Sequence, residues 1–246
     1  MGIIDRFSAG PVDLVRRLLH KTVIGPIKYR SSSGGYDAER YWRDRLQRYG
    51  ISLRASGHEG WSEEDNRSGY EIAAQTLIEA ERDAGVDLST ARVVEIGCGP
   101  GFYARLHRDL GVTSYTGVDV TDVLFQQLRE GLPEYRFLQA DVTRDRLEVE
   151  GDIVLMIDVA HHIVTDEAMN SAMENVKRVL APGGVFLVGP LMSRERSHLF
   201  YVRFWSEEEI RSRFPGFEQL RPVHFRGGTL LGFRSRTSAG RIPGVI

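Results

Sequence analysis

The stretch Val93-Val94-Glu95-Ile96-Gly97-Cys98-Gly99-Pro100-Gly101 decides how this chain folds. An apolar run ends in an acidic residue, three glycines follow on alternate positions, and a helix is expected to start at Phe102. Glycine lets the backbone turn sharply and lets a ligand lie directly against it. The helix behind the loop points unpaired N–H groups at whatever the loop holds. Strand, glycine loop and helix in this order suit a nucleoside-bearing ligand. A tight strand-to-helix turn with no ligand is the competing reading.

Outward from this turn the sequence alternates. Ser62 precedes three acids and caps a long helix running to about residue 84. Strands are expected at 92–96, 114–118 (reaching Asp119), 135–139, 152–157 and 184–188, and helices at 102–110, 122–130 and 166–180. The runs Ile153-Val154-Leu155-Met156-Ile157 and Val185-Phe186-Leu187-Val188 are continuously apolar, as buried parallel strands are. Such alternation implies a parallel sheet covered by helices on both faces. The end of the chain changes rhythm. A Ser206/Glu209 capping box opens a helix over 206–214, and 217–225, Gly227-Gly228 and 229–233 read as a hairpin.

Residues 1–61 look unlike the rest and are expected to form a helical cap on a domain spanning 62–246. A short amphipathic helix is expected at 12–23, bearing Arg16, Arg17 and Lys21 and ended by Gly25-Pro26. Residues 31–35 read as a flexible loop. A second helix at 38–49 places Tyr41, Trp42, Leu46 and Tyr49 on or near one face.

Two glycine fingerprints compete for the loop. The dinucleotide pattern G-x-G-x-x-G needs its third glycine at position 102, which is Phe102. The pattern present is E-x-G-x-G-x-G, which resembles motif I of the class I S-adenosylmethionine (SAM) methyltransferases. Over roughly residues 62–235, further segments resemble that family in order and spacing. They are Thr116-Gly117-Val118-Asp119-Val120, Leu138-Gln139-Ala140-Asp141-Val142, Asp158-Val159-Ala160-His161-His162 and Leu180-Ala181-Pro182-Gly183-Gly184.

The resemblance implies a Rossmann-like α/β fold. Its sheet has seven mostly parallel strands closed by an antiparallel terminal hairpin. It implies SAM as cofactor and S-adenosylhomocysteine as product. Cofactor contacts are expected from Glu95, Gly97, Cys98, Gly99, Gly101, Asp119, Val120, Asp141, Val142 and Asp158. In the family, the acid at Asp119 accepts from both ribose hydroxyls, and the acid at Asp141 serves the adenine amine. Glu95 would set up the loop near the methionine amino group. Cys98 counts as a small residue. Each aspartate taken alone is also an ordinary turn former, and NAD enzymes carry an acid where Asp119 stands.

His161 and His162 follow the fourth strand. Methyl transfer is a displacement that chiefly needs alignment, but a hydroxyl acceptor needs a base. Histidine titrates near neutrality and suits that task. Adjacent residues point in different directions, so one histidine is expected to face the methyl, and His162 is the first choice. Asp158, His162 and Asp166 match no strong metal signature, and no metal is expected. The acceptor is expected to meet aromatic side chains of the cap and of the run 199–205, with Tyr36, Trp42, Trp61 and Tyr201 foremost.

Composition narrows the partners. The chain has 246 residues, 41% hydrophobic and 27% charged, with a net charge of −2. That balance argues against a nucleic-acid partner. Residues 1–50 carry ten Lys/Arg against five Asp/Glu, and 221–241 carries five arginines and no acid. Solvated surface is the favoured reading of both, and a basic rim for an anionic or membrane-borne acceptor is the sharper one. The single cysteine excludes an internal disulfide and fits a reducing, cytoplasmic setting. No apolar run approaches the ~20 residues of a membrane span, and the first ten residues lack a signal-peptide core.

The expected function is therefore O-methylation of a small molecule, with a sugar or glycan hydroxyl considered first. N- or C-methylation, an NAD-dependent oxidoreductase and a non-catalytic SAM-binding protein stay open. Oligomeric state stays open too, a homodimer included.

Overall fold

The described residues build one sheet from eight strands, and their order places the site. The strands are β1 (Arg92–Ile96), β2 (Ser114–Asp119), β3 (Arg136–Gln139), β4 (Gly151–Ile157), β5 (Leu180–Leu191), β6 (Glu218–Gln219), β7 (Val223–Phe225) and β8 (Gly228–Arg234). The computed structural model describes residues 19–32, 35–192, 197 and 199–236. The order is β3-β2-β1-β4-β5-β8-β6, with β7 also paired to β8. Pairing is parallel from β3 through β5 and antiparallel between β5 and β8.

The hairpin arm expected at 217–225 is two short strands rather than one. Glu218 pairs with Arg234 and Val223 with Leu230, both on the edge of β8 that β5 leaves free. Pro222, between them, has no N–H to give a ladder. Together β6 and β7 fill one position, so the sheet is seven strands wide.

The helices are α1 (Gly25–Lys28), α2 (Ala38–Tyr49), α3 (Glu63–Asp83), α4 (Phe102–Asp109), α5 (Phe125–Gly131), α6 (Asp166–Val179) and α7 (Glu207–Arg211). Ser62 and Thr165 cap α3 and α6 by accepting from Asp65 and Ala168 N–H groups, and the Ser206/Glu209 capping box opens α7. Strand β5 is longer than the expected 184–188, running Leu180–Leu191, and three helix boundaries move by more than one residue. Helix α5 starts three residues later than expected because Asp122 is spent on a turn, accepting from Phe125 N–H. Helix α7 gives way to turns after Arg211. A π-helical stretch, His20–Ile24, runs straight into α1, so Gly25-Pro26 continues the helical path instead of ending it, with proline in the first α-helical turn where no N–H is needed. Most of the amphipathic helix expected at 12–23 and part of the loop at 31–35 lie outside the described residues.

Along β4, Ile153, Leu155 and Ile157 point to one face and Val154 and Met156 to the other. Both faces are covered, α3 and α4 supplying Leu77 and Tyr103 on one side and α6 supplying Met169, Met173 and Val176 on the other. This double burial explains the unbroken apolar run. A third cluster joins Tyr29, Tyr36 and Tyr41 to Tyr201, with Tyr41 and Tyr201 stacked at 4.6 Å between ring centres.

From β1 the chain winds outward to β2 and β3, then returns to β4 on the other side of β1. The loops after β1 and β4 therefore diverge and open a crevice at the carboxyl ends of the strands.

A buried ion pair backs this crevice. His107 on α4 donates to Glu81 at 2.9 Å through Nε2 and to the Tyr103 carbonyl at 2.8 Å through Nδ1. Both partners accept, so the ring is held as imidazolium. Burial opposes the charge, but the Glu81 bond and charge outweigh it and raise the pKa. A raised pKa contributes stability below the unfolded value of about 6.5 and loses it as pH rises through the folded one. Glu81→Gln is therefore expected to lower the melting temperature most near pH 6, with the gap from wild type closing at higher pH. Thermal melts across pH check this.

Candidate functional site

The crevice holds a cavity of about 390 Å³, walled by the loops after β1, β2, β3 and β4, by α3 and α4, and by the segment leading into α2. Gly97, Gly99 and Gly101 all take positive φ, at 78°, 46° and 74°. A side chain at Gly97 would collide with Val159, and one at Gly101 with Leu128 of α5. Gly97, Cys98 and Gly99 line the cavity; Gly101 does not, and starts α4 instead.

Asp119 ends β2 and is buried. It accepts from the Gly99 N–H at 2.9 Å and the Thr121 N–H at 3.2 Å, which ties the glycine loop to the second strand. Burial outweighs these bonds and pushes its carboxyl up to about 6. Glu95 lies beneath the loop with the Tyr115 hydroxyl donating to it. Burial pushes Glu95 up to about 8, so the group is neutral at pH 7. Asp141 and Val142 line the wall beyond Asp119, as does Val120. Asp141 is partly committed to its own turn, accepting from Thr143 N at 2.9 Å and Thr143 Oγ1 at 2.6 Å.

At the end of β4, Asp158 takes φ 60° and pairs with Arg226. Four residues on, His162 reaches the cavity; His161 is not among the lining residues although the two rings lie 4.1 Å apart. His162 Nδ1 stands 2.9 Å from the Tyr201 carbonyl oxygen. A carbonyl only accepts, so Nδ1 carries the proton and Nε2 keeps its lone pair. Burial and then the His161 charge hold the His162 pKa well below its usual value, which keeps the ring neutral. Burial likewise lowers His161.

Of the four aromatic residues expected to meet an acceptor, Tyr36 and Trp42 line the cavity, Trp42 lying 4.8 Å from the His162 ring. Tyr201 stacks behind His162 at 5.8 Å and contributes its carbonyl rather than its ring to the site. Trp61 stacks on His58 and is not among the lining residues. Asp166 is bound by Arg203 at 2.8 Å and Arg213 at 3.3 Å. Among the described residues no cluster of three or more His, Cys, Asp or Glu could hold a metal ion.

Ser56, Tyr103 and Arg226 belong to this region and are not among the site residues read from the sequence. Ser56 and Tyr103 sit in segments with no motif. Arg226 sat in the acid-free stretch read as solvated surface, yet its side chain is only 19% exposed. Its one signal was an arginine at a hairpin turn, before Gly227-Gly228.

The residues present suit a nucleoside carrying an amino-acid end. A carboxylate at Asp119 fits a vicinal diol, the loop is bare of side chains at Gly97 and Gly99, and a buried Tyr103 hydroxyl at the far end has no protein partner.

Comparison with known proteins agrees with this geometry. Residues 93–184 match a family described as a methyltransferase domain. The chain is 40% identical over 104 residues to a probable phthiotriol/phenolphthiotriol dimycocerosates methyltransferase 2 of Mycobacterium ulcerans, covering 41% of this chain and 39% of that protein. It is 29% identical over 179 residues to a trans-aconitate 2-methyltransferase of Rhodopseudomonas palustris, covering 66% and 65%. The chain thus spans less than two thirds of the length of either relative. In structure it is similar to the N-methyltransferase NodS from Bradyrhizobium japonicum, solved with S-adenosylhomocysteine. The TM-score is 0.59 at 17% identity, over 78% of this chain and 98% of that one.

Proposed function

From a chain whose residues 93–184 belong to the methyltransferase-domain family, and whose fold is that of the class I SAM-dependent methyltransferases, we propose an enzyme that methylates a hydroxyl of a small molecule. The observation that carries the reading is a single cavity containing the bare glycine loop, the buried Asp119 carboxylate and His162 with Nε2 unprotonated.

Bound SAM would supply a methyl group already activated by the sulfonium charge. Asp119 would hold the ribose diol, Asp141 and Val142 the base, and Gly97 to Gly99 the sulfur-bearing chain. Glu95, neutral and bonded to Tyr115, keeps a second negative charge away from Asp119. Tyr36 and Trp42 present aromatic faces to the acceptor, and Val159, Ile163 and Val164 keep that end dry. His162 Nε2 would take the proton that the acceptor hydroxyl gives up when its oxygen gains the methyl and the sulfonium leaves as the neutral thioether. The resulting imidazolium keeps its Nδ1–H on the Tyr201 carbonyl, which stabilises the charge where it forms. Residues 1–61 act as the acceptor cap, through Tyr36 and Trp42.

The lining favours an acceptor with a flat apolar face, such as a sugar or a phenol. Two sequence relatives are named as phthiotriol/phenolphthiotriol dimycocerosates methyltransferases. Among the described residues no helix is long and apolar enough to cross a membrane.

Calorimetric titration with S-adenosylhomocysteine, using NAD as control, tests the cofactor reading. The expected result is 1:1 binding of the former alone. Preference for NAD would overturn the assignment and the base with it.

A further inference from the structure

Among the described residues two non-glycine positions take positive φ, Asp158 at 60° and Arg226 at 50°, and these two are each other's ion-pair partners. Side chains avoid this region of backbone space, and a residue is held there only where its surroundings dictate it. Arg226 sits on the turn between β7 and β8, where an arginine would ordinarily reach into water. Instead it turns inward, with its guanidinium 4.4 Å from the centre of the Tyr70 ring. Burial disfavours its charge, but Asp158 and the hydroxyls of Tyr70 and Tyr103 outweigh that and keep it protonated.

Two groups that Arg226 touches, Asp158 and Tyr70, line the cavity. Tyr103 and Ser56 line it too. The Tyr70 hydroxyl meets Ser56 Oγ at 2.9 Å. The buried Tyr103 hydroxyl has no protein partner, and buried hydroxyls rarely stay unpaired without a ligand to meet them. Arg226 Nη1 donates to Asp158 Oδ2, and a carboxylate has a second oxygen that also accepts, here Oδ1.

We propose that Arg226, 42 residues beyond the matched domain, is a positioning residue that holds Asp158 so this end of the cavity receives a zwitterionic amino-acid group. The proposal rests on the SAM reading and says which residues select the amino-acid end. Asp158 and Arg226 together are neutral, as a zwitterion is. The carboxylate takes the ligand's ammonium, and the hydroxyls of Tyr103, Tyr70 and Ser56 face its carboxylate. A lone aspartate would be free to swing, and a lone buried arginine would compete with it. The pair leaves a fixed acceptor. It also fastens the C-terminal hairpin to the end of β4, beside His161 and His162.

The test uses two ligands that share a nucleoside and a sulfur. S-adenosylhomocysteine carries the amino-acid end, and methylthioadenosine has only a methyl group in its place. Both are titrated into wild type, Arg226→Met, Arg226→Lys and Asp158→Asn. The expected result is a loss of at least tenfold in affinity for S-adenosylhomocysteine in the methionine variant, with methylthioadenosine unchanged within twofold. Lysine keeps the charge but not the planar fork and is expected to fall between. Equal weakening of both ligands would mean that Arg226 only supports the fold, and unchanged S-adenosylhomocysteine binding would mean that it has no role in the site; either overturns the proposal. Should Arg226→Met fail to fold, Asp158→Asn carries the same comparison. Wild-type protein that binds neither ligand would overturn the cofactor reading itself, a different result from either.

Discussion

Asp119→Ala is expected to abolish binding of S-adenosylhomocysteine by calorimetry while leaving the protein folded. Two hydroxyls of a diol donating to one carboxylate are charge-assisted bonds worth about 1.5–3 kcal/mol each. Losing both corresponds to roughly 10²- to 10⁴-fold in affinity. The same carboxylate accepts the Gly99 N–H at 2.9 Å, so the glycine loop loses its tether as well. The pH dependence carries a sign. Burial raises Asp119 to about 6, and the diol binds the ionised form. Affinity of the wild type is therefore expected to be level above that value and to fall by up to about tenfold per unit below it. Asp119→Asn keeps the shape, removes the pH dependence and leaves part of the affinity. Its melting temperature is expected to fall modestly, because its one carbonyl oxygen can keep only one of the Gly99 and Thr121 N–H bonds. Affinity for S-adenosylhomocysteine within twofold of wild type in Asp119→Ala would rule out the ribose assignment.

His162→Ala is expected to divide binding from turnover. S-adenosylhomocysteine affinity stays within twofold, and methyl transfer to a hydroxyl acceptor slows by about 10²- to 10⁴-fold, the usual weight of a positioned general base. Burial and His161 lower the His162 pKa. The base form therefore dominates at neutrality, and the acidic limb of the rate profile is expected below 6.5. With SAM saturating, so that the Asp119 titration does not enter the rate, His162→Ala should lose that limb. His161→Ala should keep it, since His161 is not among the cavity-lining residues. Normal turnover in His162→Ala would leave the reaction to alignment alone.

Much of the fold was legible because local patterns and tertiary demand coincide. The run Ile153 to Ile157 reads as a doubly covered strand because both of its faces are in fact covered. Ser62, Thr165 and Ser206 cap helices with their own side chains, a signal that needs no distant partner. The errors fall where a neighbour or a turn decides. Residues 217–225 could not announce that Pro222 would split one arm into two strands on β8. Asp122, a reasonable helix start, was used by a turn instead.

The candidate site divides in the same way. Gly97, Gly99, Asp119, Asp141 and His162 stand at strand ends, where sequence position and place in the crevice are nearly one thing, and the structure brings them to one cavity. Tyr201 and Trp61 were chosen for residue type. Type does not say which way a ring faces, and both point elsewhere.

The sequence by itself determined the parallel sheet, the glycine loop, the acids at the ends of β2 and β3 and a histidine pair after β4, because each follows from chain-local periodicity and turn chemistry. Only the tertiary structure decided which histidine lines the cavity, since the Tyr201 carbonyl that orients His162 arrives from 39 residues away. It also decided the partner of Asp158, because Arg226 lies 68 residues on and comes alongside only when the hairpin docks against β5. Contacts of that range are made by packing the whole sheet, and no window of sequence contains both ends of them.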